Sequence, residues 1–508
     1  MLSRTKFAKS LLVFALSVII ALIAAFALVK GKSAFAAGIK PVIGDGSSQA
    51  PYEIGSPAEL EWVAENVNSS AGIYYKLLDD IDLSYYNAEN LSFNSGKGWI
   101  PIGAPNGSPS NLFAGNFDGN GKKITGLYIN TNNGFVGLFG GISGSVKNLA
   151  LEGVEVTAQS HVGGIVGWLT GSVENCYVTG TVSGVASHTF AGGIVGYVAA
   201  NGSVNNCYSA CTVSGPSYVG GIAGFMGLNG SISNCYALGA INASNGRAGG
   251  IAGTIHSSAD QIKNCVALNI SVSGYSTARI ACLDVEDDLL LNNYAYEDIQ
   301  GTFVGGDPDH FNGSGINGNQ ILSAEFWTDA NNWHTGAWDT GIWTIKDSKL
   351  PSLFGEEVTL LTYFKMSGWN FGVLQLDSKS NNSITVKAVT AANGQSIEYA
   401  INATNSVPES DSSAWQTGLT FSGLNADTNY YIFARAKENS LYESSVSAAL
   451  TVKTDVSQSN IVPDSGDGNG GLSGGAIASI VIGGILVLAL IGFLVYWFVF
   501  RKKKQQQS

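Results

Sequence analysis

Gly164-Ile165-Val166-Gly167 and, a little further on, Val173-Glu174-Asn175-Cys176 form one copy of a pattern that the chain repeats. The glycine-flanked element also occurs as Gly137-Leu138-Phe139-Gly140, Gly193-Ile194-Val195-Gly196, Gly221-Ile222-Ala223-Gly224 and Gly250-Ile251-Ala252-Gly253. In chain order the copies start 27, 29, 28 and 29 residues apart. An apolar-x-Asn element keeps step as Val146/Asn148, Val173/Asn175, Val204/Asn206, Ile232/Asn234 and Ile262/Asn264, and Cys176, Cys207, Cys235 and Cys265 follow the asparagine in the last four. Two markers sharing one period define a repeat array, which means a solenoid or a propeller. The units hold short alternating segments such as Gly202–Val213, with Asn-Gly pairs at Asn201, Asn229 and Asn245 and no helical period. A propeller blade needs about 40 residues or more, whereas about 28 suit a coil of three short strands of about 5 residues each. The expected fold is therefore an all-β right-handed parallel β-helix, with the hand set by the general preference of parallel crossovers.

Composition agrees with stacked coils. The chain has 508 residues with 65 glycines, 11 prolines and 13% charged residues. Collagen would need glycine at every third position, and a chain that is 45% hydrophobic is too apolar for bulk disorder. Residues in successive coils lie about 4.8 Å apart, so like charges in register would repel. Between Thr131 and Cys282 the acids are Glu152, Glu155, Glu174 and Asp260 and the bases Lys147, Arg247, Lys263 and Arg279. Glycine is expected to supply tight corners with positive φ. In apolar-x-Asn-Cys both flanking side chains point inward only if the chain bends at asparagine, which tolerates the left-handed conformation. Asn148, Asn175, Asn206, Asn234 and Asn264 are thus expected in one vertical, hydrogen-bonded line. Cys176, Cys207, Cys235 and Cys265 are expected as a buried thiol stack, because Cβ atoms near 4.8 Å apart exceed the roughly 3.5–4.5 Å that a disulfide prefers.

These repeats, from Gly137 to about Ala267, resemble the GLUG family of bacterial surface proteins, which includes the region ahead of the catalytic domain in IgA1-specific metallopeptidases. Upstream, Ile73–Leu83, Trp99–Gly103 and Phe113–Ile129 resemble the less regular leading coils of such proteins. Ser56-Pro57-Ala58-Glu59 reads as a capping box opening a short helix through about Glu65, over the first coil. Downstream, Phe326–Phe354 resembles the family's aromatic closing segment, with Trp327, Trp333, Trp338 and Trp343 expected over the last coil or free to stack on sugars.

From about Glu357 the period stops. Leu424-x-Ala426-x-Thr428-x-Tyr430 has the spacing of a tyrosine corner, and the stretch through Thr451 resembles the type III-like modules of Gram-positive cell-wall proteins. At the amino end, Arg4, Lys6 and Lys9 precede the apolar stretch Leu11–Val29 and Ala34-Phe35-Ala36, the order of a signal peptide cleaved near Ala36. At the other end, Ala476–Phe500 is uncharged and long enough to cross a bilayer, and Arg501–Lys504 hold the tail inside the cell. The expected organisation is a leader over 1–36, a solenoid over 38–355, a fibronectin type III-like sandwich over 356–454, a flexible linker over 455–475, a membrane helix over 476–500 and a basic tail over 501–508. Val462-Pro463-Asp464-Ser465-Gly466 ahead of the apolar run resembles a sortase sorting signal, with valine for leucine and serine for threonine. Retention in the membrane is the favoured outcome and transfer to the wall by sortase the alternative.

Nine of the 26 basic residues fall in the leader and tail, which leaves 17 against 38 acidic ones, a net charge of −21. Such a surface disfavours nucleic acid and anionic head groups and directs attention to extracellular glycans or proteins as partners. No catalytic, cofactor-binding or metal-ligating set is expected. There is no His-Glu-x-x-His pair, no G-x-S-x-G and no P-loop, and His161, His188, His256, His310 and His334 read as isolated surface or loop residues. The acidic knot Asp79, Asp80 and Asp82 reads as a solvated or calcium-binding turn rather than a catalytic group. The functional expectation is a non-enzymatic adhesin or surface-display rod. The alternative is a β-helix polysaccharide lyase or glycoside hydrolase, which would need clustered carboxylates.

Overall fold

A computed structural model describes residues 38–104, 111–256, 261–283, 290–303, 311–334, 336–358, 365–439 and 441–457. The leader, Val462–Gly466, the apolar run Ala476–Phe500 and the basic tail lie outside the described residues. Among the described residues no helix is long and apolar enough to cross a membrane. These residues form two compact units. One comprises the chain up to Val373 with Val389–Tyr399 and Phe433–Ala448; the other comprises Leu374–Ala388, Ala400–Ile432 and the residues from Ala449 on.

The first unit is built on a parallel β-solenoid of about six turns. Each turn contributes one strand to a six-stranded row made of Phe139–Ile142, Val166–Leu169, Val195–Val198, Ala223–Met226, Ala252–Ile255 and Ala281–Leu283. A second row holds Ser172–Glu174, Ser203–Asn205, Ser231–Ser233 and Gln261–Lys263. A third holds Tyr177–Gly184, Tyr208–Gly215 and Tyr236–Ala237, all in parallel register. Apolar residues recur at the same place in each turn, as in Val146, Val173, Val204, Ile232 and Ile262, and all five are fully buried.

The turn between the second and third rows is the asparagine. Asn148, Asn175, Asn206, Asn234 and Asn264 all have φ between 52° and 54°, and Asn120 (54°) and Asn292 (50°) extend the series at either end. Their side chains bond from turn to turn: the amide of Asn148 donates to Asp118 (3.0 Å), Asn175 to Asn148 (3.0 Å), Asn206 to Asn175 (3.1 Å) and Asn264 to Asn234 (3.2 Å). Asn234 departs from the line and donates to Asn205 at 2.9 Å.

The repeat glycines serve a different purpose from the one expected. None of those in the glycine-flanked elements has positive φ. They are small because backbones meet there. A Cβ on Gly164, Gly193, Gly221 or Gly250 would lie 2.6, 2.3, 2.2 or 2.1 Å from a carbonyl oxygen of the next turn, and one on the preceding Gly163, Gly192, Gly220 or Gly249 would lie 2.3, 2.1, 2.1 or 1.9 Å from the carbonyl oxygen three residues on. The left-handed bend belongs to asparagine and the close approach to glycine.

At the amino end, the helix Pro57–Glu65 is capped by Ser56, whose hydroxyl accepts from the Glu59 amide, and the Glu59 carboxylate in turn accepts from the Gly55 amide at 2.8 Å. Its Leu60 and Val63 join the core of the first turns. The second unit carries an antiparallel sheet of Leu376–Lys379, Ser383–Val386 and Thr420–Ser422. In the same unit the Asn425 amide donates to the Tyr430 hydroxyl at 3.0 Å, and Asn429–Ile432 pairs antiparallel with Leu450–Lys453.

Candidate functional site

Four columns of side chains run along the solenoid, and each offers different chemistry. The first is the thiol column. Cys176, Cys207, Cys235 and Cys265 are fully buried and free, as are Cys211 and Cys282 with at most 5% exposure. The amide of Cys176 donates to the Cys207 sulfur and that of Cys207 to the Cys235 sulfur, both at 3.4 Å. Each thiol donates back to the carbonyl two residues earlier, at 3.0 Å for Glu174 and 3.1 Å for Ser233. Burial raises Cys176, Cys207 and Cys235 well above the ordinary thiol range and Cys211 to about 12. Since the thiolate is the reactive form, these groups are packing elements. Iodoacetamide should modify them only after denaturation, which mass spectrometry of native and unfolded samples will show; rapid native labelling would contradict this.

The second column is aromatic and follows directly on the cysteines. Tyr177, Tyr208 and Tyr236 occupy successive turns in register, with ring centroids 4.7 and 4.9 Å apart and planes within 8°. The periodic Cys-Tyr dipeptides carried this signal in plain view, but the sequence reading assigned the tyrosines no role. The segment after the last turn covers this column. Instead of sitting only on the last turn it runs back along the flank. Phe326 and Trp333 pack on Tyr294, Trp327, Trp338 and Trp343 on Tyr236, and Phe354 on Tyr177. The Tyr236 hydroxyl donates to the Pro351 carbonyl at 2.6 Å, and the His334 amide donates to Asn264 at 2.7 Å. Trp327, Trp333, Trp338 and Trp343 are at most 4% exposed, so their faces are not open to a sugar. At its far end the strap is clamped by Lys123, whose ammonium lies 3.1 Å from Glu152 and 3.0 Å from Glu356. The Tyr177 hydroxyl donates to Glu152 at 2.6 Å.

In this clamp two carboxylates face one cation. Glycosidic chemistry needs a substrate between two carboxylates, and here a lysine fills that place and draws both oxygens. Asp80 accepts from the Lys123 amide at 2.9 Å and so ties its coil to a neighbouring one, while Asp82 accepts from the Ser84 amide at 2.8 Å and caps its own turn. Among the described residues no group of three or more His, Cys, Asp and Glu is placed to hold a metal ion.

A third column departs from the expectation of isolated histidines. His161 stands in register between Phe135 and Phe190, with ring centroids 4.6 and 4.9 Å away, and meets Trp168 and Tyr197 edgewise. Burial lowers its pKa to about 4. The folded value lies below the unfolded value of about 6.5, so the unfolded chain binds the proton more tightly. The His161 contribution is therefore intact above about pH 6.5 and is lost as the pH falls towards 4, by at most about 3 kcal/mol. His161→Phe, which continues the phenylalanine column, should be the more stable protein at pH 4.5 and lose that advantage at pH 7.5, as denaturant midpoints at the two pH values will report.

The fourth column is polar and outward-facing. Glu53, Lys76, Asp118, Lys147 and Glu174 are successive register partners. The array therefore does more than avoid charge: at its first turns it alternates the sign. Lys147 lies 3.6 Å from Asp118. Beside it runs a hydroxyl and amide column of Asn116, Ser145, Ser172, Ser203 and Ser231. Together with the loop at Ser48–Pro51, the Lys76–Glu174 part of the first of these columns and the Asn116–Ser172 part of the second line a cleft of about 550 Å³.

The GLUG motif model matches residues 158–183 and 215–242, which fall on two of these turns. The chain is 38% identical over 119 residues to a protein of Evansella cellulosilytica provisionally named a Gly-rich membrane protein, covering 23% of this chain and 12% of that one. It is 36% identical over 163 residues to halomucin of Haloquadratum walsbyi, covering 31% of this chain and 2% of that one. A crystal structure from Bacteroides ovatus, provisionally assigned as an immunoglobulin A1 protease, superposes with a TM-score of 0.47 at 26% identity over 62% of this chain and 95% of the other. The chain thus spans only a small part of the length of the relatives from Evansella cellulosilytica and Haloquadratum walsbyi.

Proposed function

We propose that this chain is an exported, surface-held and non-enzymatic rod, an adhesin or display protein that presents its solenoid to extracellular glycans or proteins. The reading takes the solenoid as a right-handed β-helix, the strands around Tyr430 as a fibronectin type III-like spacer, and Ala476–Phe500 as the anchor. The observation that carries it is the use made of the flank. Two acids on the flank, Glu152 and Glu356, clamp a strap through Lys123, the thiols are buried in packing, and the outward columns repeat in register as a binding surface does. The names of the relatives from Evansella cellulosilytica and Haloquadratum walsbyi, a membrane protein and a halomucin, support a place at the cell surface.

The test compares cells carrying the gene with a deletion strain for attachment to immobilised glycans and matrix proteins, alongside protease shaving of intact cells. Shaving should release fragments of residues 38–457, and the deletion should lower attachment. The purified full-length chain should release no oligosaccharide from a polysaccharide panel. Release of oligosaccharide products would overturn the non-enzymatic reading in favour of a lyase or hydrolase.

A further inference from the structure

We propose that the cleft between the Asp45–Pro51 loop and the stacked strand segments from Tyr74–Lys76 to Ser172–Glu174 binds a neutral oligosaccharide laid along the stacking axis. This names the ligand class and the place for the adhesin reading above, and rests on it. Three observations on the cleft support it.

The first is its size and build. Its volume of about 550 Å³ lies within the range of about 300–1,000 Å³ usual for small-ligand sites. Lys76, Asp118, Lys147 and Glu174 line it from four successive turns, a length of about 14 Å at about 4.8 Å per turn, so the ligand is a chain rather than a single ring. The loop wall is fixed: the Asp45 and Gly46 amides both donate to the Ala50 carbonyl, at 2.9 and 3.0 Å, and the Tyr74 amide donates to the Gly46 carbonyl at 2.9 Å.

The second is charge. Two cations and two anions alternate down the column, so the cleft has no net sign with which to attract a polyanion or a polycation. It has instead a regular supply of donors and acceptors. Among the described residues the side chains of Lys76, Ser172 and Glu174 make no hydrogen bond or ion pair. Asp118, by contrast, is held by the Asn120 amide at 2.8 Å and the Asn148 side chain at 3.0 Å. Fixed and unspent groups in one row suit vicinal hydroxyls, which donate and accept at once.

The third observation separates a sugar from a peptide. Peptides add to sheets through backbone edges, and here the strand segments at Tyr74–Lys76, Asn116–Asp118, Ser145–Lys147 and Ser172–Glu174 are already paired to the turns on both sides. Recognition must come from side chains. Tyr74, 38% exposed, lines the same cleft and supplies the aromatic platform on which a sugar ring stacks.

The experiment uses the full-length chain in mild detergent, with cellohexaose and chitohexaose as neutral probes, polygalacturonate as the anionic probe and gelatin as the peptide probe. At least one neutral hexasaccharide should bind, with an affinity that does not change between low and high salt. Ser172→Trp, which fills the cleft at an outward position, and Tyr74→Ala should each weaken that binding by at least about tenfold. Thr181→Trp, on the exposed part of the third row, should leave it unchanged, and all three variants should keep the parent melting temperature. Unaltered binding in both cleft variants would place the site elsewhere. Binding of polygalacturonate or gelatin alone, or of no probe, would overturn the ligand class. Loss of attachment in the deletion strain but not in cells displaying Ser172→Trp would reject the cleft and keep the adhesin reading, whereas unchanged attachment in the deletion strain would reject that reading itself.

Discussion

Trp338→Ala should destabilise the first unit by about 3–5 kcal/mol, the range for deleting a large buried aromatic. The side chain is 2% exposed and sits at the centre of the strap, with ring centroids 4.7 Å from both Trp327 and Trp343 and 6.2 Å from Tyr236. Its loss opens a cavity that rigid turns behind it cannot collapse to fill, because their backbone is tied into parallel ladders on both sides. The consequence should also be local. Turns of a solenoid contact only their neighbours, so the strap should detach before the turns unfold, in a first transition that uncovers Tyr208 and Tyr236 and changes the near-ultraviolet circular dichroism. Trp338→Phe should cost much less. The Trp338 indole nitrogen is buried without a hydrogen-bond partner, and removing an orphan donor recovers part of a penalty of about 1–3 kcal/mol. A single transition with equal losses in both variants would mean that the strap is not a separable cover.

The turns were readable in the sequence and the strap was not, for a physical reason. Stacking imposes one residue type at one place in every turn, so Val173, Asn175 and Cys176 announce themselves by recurrence. The strap occurs once. Its four tryptophans show that it buries something, but the surface it buries is the tyrosine column, assembled from residues in separate turns with no sequence neighbour in common. The same limit hid the polar cleft. Lys76 and Asp118 are register partners across an irregular insertion, and no period links them. It also hid the Lys123 clamp, whose two carboxylates come from a turn and from the far end of the strap. His161 looks exposed in the sequence because Gln159 and Ser160 precede it and its aromatic neighbours lie in other turns; only the register reveals phenylalanine above and below it. The glycine rule was half legible. Glycine at the turns was evident, while its cause, backbone proximity instead of positive φ, depends on distances between turns.

That cause makes the second large effect. Gly192→Ala should cost about 3 kcal/mol, the upper end of ordinary overpacking. The added carbon would lie 2.1 Å from the Val195 carbonyl oxygen in its own turn and 2.7 Å from the Ala223 Cα in the next. Neither is a side chain that can rotate away. Relief requires both a change of backbone path between Gly192 and Val195 and a shift of that turn from the next, which loosens the hydrogen bonds between Val195 and Ile222 and between Ile194 and Ile222, 2.9 and 3.0 Å long. Since Gly192 lies in the middle of the array, the defect falls on an interface that both halves share, and nearest-neighbour coupling should turn one cooperative transition into a broader one. Gly55→Ala provides the contrast, because its nearest neighbours are side-chain atoms at 3.7 and 3.8 Å. That change should stay within about 1 kcal/mol of the parent and can stabilise by restricting the unfolded chain. Denaturant titrations of the two variants therefore test whether the glycines of the repeat are there for space. Equal and small effects would mean that the turns can separate freely, against the close packing on which the asparagine line and the thiol column depend.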